Sequence, residues 1–593
     1  MTEGAETDVF ARHWRLITAL IFVGMAALMI YDRWNPINWF ALGDTDDNMR
    51  MMQVRGLLQG QDWYDLRQHR LDPPYGANIH WSRLVDLPIA GIMLVLRPIL
   101  GGPLAEKTAV ALAPLIPMAV AMFGMALASR RLLSPKAFAL ALALLFCAHS
   151  ARNMWVPLRI DHHGWQLAML TLVIAGIADP RRARGGLLIG AASAVSLTIG
   201  LEMLVYLALF GAAVALMWIR DPAEGRRLVT YGASLAGGCA LGYLLFASND
   251  NRQPVCDALS PVWLSAMTGA GAAAVILPLL PLRSWPWRLG AGAVLGGVIA
   301  AGFALAWPHC LGRLEGVSPQ LQDLWLENVR EARPIYSHDW PTIAAMASLP
   351  LIGLVGYVTM IWRSRRDAAS VATWLALAVV ALVAALMLLW QSRAGASAQV
   401  LAVPGATALA WVIIPFIQRQ KLMLVRVFGT VGAFVLISGI AAQQVVKFLP
   451  ADKPQKQLKT VNRANGRCPT LAALKPIAQQ PKGYLLTFVD LNPRLITVTH
   501  HYGVAGPYHR NERGILDVML TFRGTADHAR QVIARRGIDY VLICPGMSES
   551  TIYSSEAPKG FYVQLAKGKV PGWLQPVKLP KNSPFRMWRV VRR

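Results

Sequence analysis

The chain has 593 residues, 55% of them hydrophobic and only 15% charged, with a formal net charge of +25. Its mean hydropathy of +0.40 is too high for a soluble enzyme of this length, so a polytopic membrane protein is expected. Carboxylates are scarce, 33 Asp and Glu against 58 Lys and Arg, so any local cluster of acid calls for a reason.

Arg12, His13 and Arg15 precede a first apolar run over 16–31 with no small-residue cleavage site after it, which predicts a retained anchor. About a dozen positions further on, Gly43-Asp-Thr-Asp-Asp-Asn-Met-Arg50 places three carboxylates within four residues, Asp44, Asp46 and Asp47. Apolar stretches of roughly 20 residues, the length a spanning helix needs, then recur up to about Lys447. Six short basic loops punctuate them: SRRLLSPK (129–136), DPRRARGG (179–186), RDPAEGRR (220–227), RSWPWR (283–288), RSRRD (363–367) and RQKLMLVR (419–426). Lys and Arg collect in short cytoplasmic loops, so these should share one side. That holds if 105–128 and 136–150 span while 84–101 does not fully cross, giving about thirteen spans. The expectation is a bacterial inner-membrane protein with a cytoplasmic N-terminus.

The outer face then collects the loops 32–104, 151–164 and 308–341, with Asp44, Asp46 and Asp47 in the first, Asp161, His162 and His163 of RIDHHGW (159–165) in the second, and Glu327 and Glu331 in the third. Carboxylates and imidazole from separate loops can hold Mg²⁺ or Mn²⁺, and such an ion stabilises charge on a departing phosphate. Each piece also has a plainer reading: Asp44 or Asp46 as a helix cap, RIDHHGW as an interfacial turn, Glu327 and Glu331 on a solvated surface helix. Glu202, inside an apolar stretch, reads as a local cap or polar hairpin. A buried charge in mid-span would instead favour a transporter or lipid-linked glycan flippase, and a polysaccharide polymerase or ligase is a further alternative.

The transmembrane part is expected over 1–449 and a soluble basic domain over 450–593. From Pro450 onward there are 23 Lys and Arg against 8 Asp and Glu. On a membrane-tethered domain such charge suits anionic head groups or phosphate-linked substrates rather than nucleic acid. YLLTFV (484–489), LITVTH (495–500) and DYVLIC (539–544) read as strands and TADHARQVIARRG as a helix, hence an α/β domain. THHYGVAGPYHRNERG (499–514) offers Tyr508, His509 and Arg510 as possible substrate-binding residues, with phosphate contact through His509 and Arg510. Four cysteines fall on the outer side, and Cys256 with Cys310 and Cys468 with Cys544 are the expected pairs.

In order and sidedness these pieces resemble the catalytic subunit of oligosaccharyltransferase and its single-chain bacterial and archaeal relatives, glycosyltransferases of the GT-C class. Asp44 with Arg50 has the spacing of that family's first-loop motif. HWSRLVDLP and VPLRIDHHGW resemble its next segments, and ENVREARPIYSHDW resembles its fifth external loop, which selects Glu331 over Glu327. The resemblance implies a GT-C fold, a donor sugar on polyprenyl phosphate or pyrophosphate, and an inverting, metal-dependent transfer at the periplasmic face. It further implies Asp44 and Glu331 as catalytic residues, Asp44, Asp161, His162, His163 and Glu331 as the metal set, and Arg393 as the residue that grips the donor phosphate. The family's Trp-Trp-Asp-Tyr-Gly motif, which reads the hydroxyl of a peptide acceptor, has no counterpart after Lys447. A glycan or lipid acceptor is therefore expected in place of a peptide.

Overall fold

The structure, a computed structural model, describes residues 9–448 and 455–592. The expected domain junction at 449–450 lies outside them. Among the described residues, eight helices are long and apolar enough to cross a membrane, or nine if the bent pair Met423–Ile437 and Ile440–Phe448 is one span. Phe138–Cys147, His163–Ile177 and Leu204–Arg220 are apolar but shorter. The expected span over 136–150 is thus only a ten-residue helix followed by a turn at His149–Arg152. With the bent pair and these three shorter helices the count among the described residues reaches twelve, one below the thirteen or so expected. The segment at 84–101, expected not to cross, forms the 15-residue helix Asp86–Leu100, which is not among the candidate spans.

Two long helices of the membrane part touch backbone to backbone. A Cβ on Gly356, in Trp340–Arg363, would lie 1.8 Å from the Gly405 carbonyl oxygen of Gly395–Gln418, and one on Gly405 would lie 2.2 Å from the Gly353 carbonyl. Small residues permit this approach, which lets Tyr357 donate its hydroxyl to Leu401 O at 2.6 Å. The helix Gly395–Gln418 is buried along most of its first four turns and carries the Arg393 turn at its N-terminal end.

The C-terminal domain is built on a five-stranded sheet in the order β2-β1-β3-β5-β4, with β1 Tyr484–Leu486, β2 Tyr502–Gly503, β3 Tyr540–Ile543, β4 Leu574–Pro576 and β5 Arg586–Val590. β1 pairs in parallel with β2 and β3, and β5 runs antiparallel to β3 and β4. The α/β expectation holds, with one correction: LITVTH is not a strand. Asn492–Val498 is a helix with Pro493 in its first turn, and Asn492 through Thr497 are buried. The β-branched run favours a strand locally, but Pro opens a helix well and packing against Thr45–Leu58 decides the outcome. Thr497 donates to Asn48 O at 3.2 Å and Arg494 to Asn48 Oδ1 at 3.4 Å.

The first and long loops interlock with this domain. Asp72 N donates to Gly503 O and Gly503 N to Arg70 O, both at 2.9 Å, so the first loop extends the sheet beside β2. Leu321, Trp325 and Leu326 of the long loop belong to the core of the C-terminal domain. Disulfides join Cys256 to Cys310 and Cys468 to Cys544, while Cys147 and Cys239 are free.

Candidate active site

The acidic run starts a helix. Asp44 caps Thr45–Leu58, its Oδ1 accepting from Asp46 N at 3.2 Å, and Asp46 and Asp47 occupy the first turn, where the positive end of the helix dipole favours carboxylates. Asp47 turns to the second loop and accepts from Ile160 N at 2.8 Å and Asp161 N at 3.2 Å. Leu158 has φ 79°, a left-handed conformation costly for a branched side chain, and its N–H is held by Val110 O at 2.8 Å. The next residue, Arg159, is thereby presented to three carboxylates: it pairs with Asp44, with Asp161 at 2.7 Å and with Asp47 at 3.6 Å.

Asp161 also accepts from His163 N at 3.0 Å, closing the start of His163–Ile177. One ligand atom each from Asp46, Asp161 and His163 lie within 4.8 Å of one another. His162 faces the other way: its Nε2 meets Glu202 Oε1 at 2.8 Å, and Gln166 donates to Glu202 Oε2 at 2.5 Å. Glu202, read from the sequence as a local cap, is therefore the partner of His162. A second group, His162, His163 and Glu202, is equally compact and shares His163 with the first.

The long loop enters from the side. Ser392 N donates to Arg333 O at 2.8 Å and Ser392 Oγ to Glu331 O at 3.3 Å, which ties the turn carrying Glu331 to the turn carrying Arg393. Both side chains are exposed. The Glu331 charge reaches the first loop: burial, then Asp44, Asp161 and Glu331, push the Asp46 carboxyl well above its usual range. Burial also raises Asp47, although Arg159 opposes it. At Asp161 burial acts upward but Arg159, His163 and His162 outweigh it and hold the carboxyl low. Arg159 thus neutralises the face made by Asp44, Asp47 and Asp161, and Asp46 is left on the side where negative charge accumulates. Two carboxylates and an imidazole, with excess negative charge on one side, fit a divalent cation, and the imidazole favours Mn²⁺ over Mg²⁺.

Of the metal set read from the sequence, this geometry brings Asp161 and His163 together, with Asp46 beside them. Asp44 caps the helix and pairs with Arg159. His162 is committed to Glu202, and Glu331 acts on the group through its charge. Asp46 was one of three candidate carboxylates and Arg159 stood inside its motif without a role, and no spacing rule singles out either. Tyr508, His509 and Arg510, read from the sequence as possible substrate-binding residues, all find partners within the protein. Tyr508 donates to Thr45 O at 3.0 Å, with its ring 5.4 Å from that of Trp81. Both His509 and Arg510 grip Asp257, at 2.5 Å and 2.6 Å. These three side chains dock the C-terminal domain on the membrane part. Arg50 is likewise structural, bonded to Asp86 at 2.9 Å with both side chains fully buried.

No family model and no curated protein matches the sequence. Solved structures do match. Oligosaccharyltransferase AglB from Archaeoglobus fulgidus, in complex with an inhibitory peptide and a dolichol-phosphate, superposes with a TM-score of 0.67 at 16% identity over 96% of this chain and 73% of that one. The chain has the fold of the archaeal oligosaccharyltransferases. The enzyme from the same organism tethered to an acceptor peptide gives 0.65 at 16% identity over 97% of this chain and 76% of that one. Its complex with Zn and sulfate gives 0.57 at 15% identity, over 88% and 67%. The oligosaccharyltransferase fold accounts for the architecture described above, a helical membrane part whose first and long loops pack against a C-terminal mixed domain.

Proposed function

We propose that this protein is an integral-membrane glycosyltransferase that moves a sugar or glycan from a polyprenyl phosphate or pyrophosphate donor to an acceptor at the periplasmic face. The observation that carries the reading is the convergence of Asp46, Asp161 and His163 under the C-terminal domain. The likeness to a protein solved with a dolichol-phosphate supports the choice of donor. Asp46, Asp161 and His163 would hold Mg²⁺ or Mn²⁺, which supplies Lewis-acid charge opposite a departing phosphate. Arg393, exposed beside the Glu331 turn, binds the donor phosphate and neutralises charge as the bond to the anomeric carbon breaks. Asp44, held by Arg159 and Asp46 N, orients the acceptor nucleophile, which attacks the anomeric carbon from the face opposite the phosphate and inverts it. Glu331 flanks the acceptor and takes its proton.

A glycan or lipid acceptor is the preferred class. The basic C-terminal domain suits anionic acceptors, and no Trp-Trp-Asp-Tyr-Gly-like motif occurs after Lys447. The test is release of lipid phosphate by the purified protein from a short polyprenyl-phosphate sugar, with chelator and then Mn²⁺ added, and with an Asn-X-Thr peptide and a glycolipid extract offered in parallel. No release with either acceptor sinks the enzymatic reading. Peptide labelling with the glycolipid untouched sinks the acceptor assignment.

A further inference from the structure

Asp257, His509 and His80 come from three separate parts of the chain and meet in a group that shares no residue with the Asp46 group. Asp257 follows Cys256, which is tied to Cys310 at the start of the long loop. His509 belongs to the C-terminal domain and bonds Asp257 Oδ2 through Nε2 at 2.5 Å. His80 lies in the first loop, its ring centroid 4.7 Å from that of His509. One ligand atom from each of the three lies within 4.8 Å of the others.

A second observation points to a ligand. Nδ1 of His80 is buried with no hydrogen-bond partner, a state that costs a polar group free energy unless something fills it. Burial, with His509 and Arg510 close by, keeps this imidazole neutral and so able to donate a lone pair. Beside it opens a small cleft lined by His80, Asn251, Ala258, Thr198 and Tyr243. Two imidazoles and one carboxylate with an open fourth position form a donor set that suits Zn²⁺, with a water from the cleft completing a tetrahedron.

We propose that His80, Asp257 and His509 form a second metal site, of zinc type, that staples the C-terminal domain to the outer loops. The cation takes the place of the hydrogen bond between His509 Nε2 and Asp257, with the proton of the neutral ring carried on Nδ1. Tetrahedral zinc holds its donors about 2.0–2.2 Å away, so a small inward movement of the two rings is enough. Arg510 keeps its bonds to Asp257, from Nε at 2.8 Å and a terminal nitrogen at 2.6 Å, and orients the carboxylate from outside. The site is independent of the proposed sugar transfer.

The test uses the full-length protein in detergent, stripped with chelator and dialysed against Zn²⁺ alone, with bound metal measured by mass spectrometry. Asp161→Asn weakens the Asp46 group and leaves this one intact. His509→Gln and His80→Gln remove nitrogen donors while sparing the Asp257–Arg510 pair that the fold needs. One zinc retained by Asp161→Asn, and lost from Asp161→Asn/His509→Gln and Asp161→Asn/His80→Gln, is the expected result. No zinc in Asp161→Asn, or zinc undiminished in either double variant, overturns the proposal. Sugar transfer is scored separately by lipid phosphate release, so failure of one reading leaves the other standing.

Discussion

Arg159 binds Asp161 at 2.7 Å with the Asp161 side chain fully buried, and the same guanidinium holds Asp44. This pairing separates the roles of neighbouring carboxylates. Asp46→Asn should lower lipid phosphate release about 10²- to 10³-fold, the scale for loss of a group that stabilises developing charge. Asp44→Asn keeps a good capping side chain and should cost less. An inactive Asp44→Asn beside an active Asp46→Asn would reverse the assignment.

Gly356 faces the Gly405 carbonyl with no room for a side chain. Gly356→Ala must push two buried helices apart and should cost more than about 2 kcal/mol, the upper part of the range for overpacking. Gly296, with open space around it in Trp285–Ala306, serves as the control. Thermal melting of the detergent-solubilised variants should show a clear drop for Gly356→Ala and little change for Gly296→Ala.

Glu549 accepts from Val489 N at 2.9 Å and Asp490 N at 3.0 Å in the C-terminal domain, and burial with Asp490 beside it pushes its carboxyl up to about 8. Its folded pKa lies above the unfolded value near 4.3, so the folded domain binds the extra proton between these limits. Its contribution to stability is full below about pH 4 and is lost as pH rises through 8, with a slope of up to about 1.4 kcal/mol per unit in between. Urea midpoints followed by tryptophan fluorescence between pH 5 and 8 should fall with pH, and Glu549→Gln should flatten that fall. An unchanged slope would show that another group titrates.

Cys256 and Cys310 close a loop with a sequence separation of 54. Peptide mapping without reductant should find this bridge and Cys468–Cys544, with Cys147 and Cys239 free. Cys310→Ser should destabilise the protein by about 2–4 kcal/mol and reduce transfer, because Glu331 lies on the loop that the bridge anchors. Four free thiols in the native protein would refute the pairing.

Composition alone determined the membrane class, because hydropathy acts segment by segment whatever the packing. The outer cysteines could be paired by side and neighbourhood, and the α/β character of the last 140 or so residues followed from short apolar runs. Residue roles were decided by tertiary structure. Asp44, Asp46 and Asp47 are near neighbours on one helix start, and successive helical positions point about 100° apart, so the docking of that helix selects which carboxylate meets His163. Only packing turns Arg159 into the acid cluster, and only docking of the C-terminal domain aims His509 at Asp257. Asn492–Val498 makes the same point for secondary structure: its β-branched residues favour a strand, and burial against Thr45–Leu58 holds them in a helix.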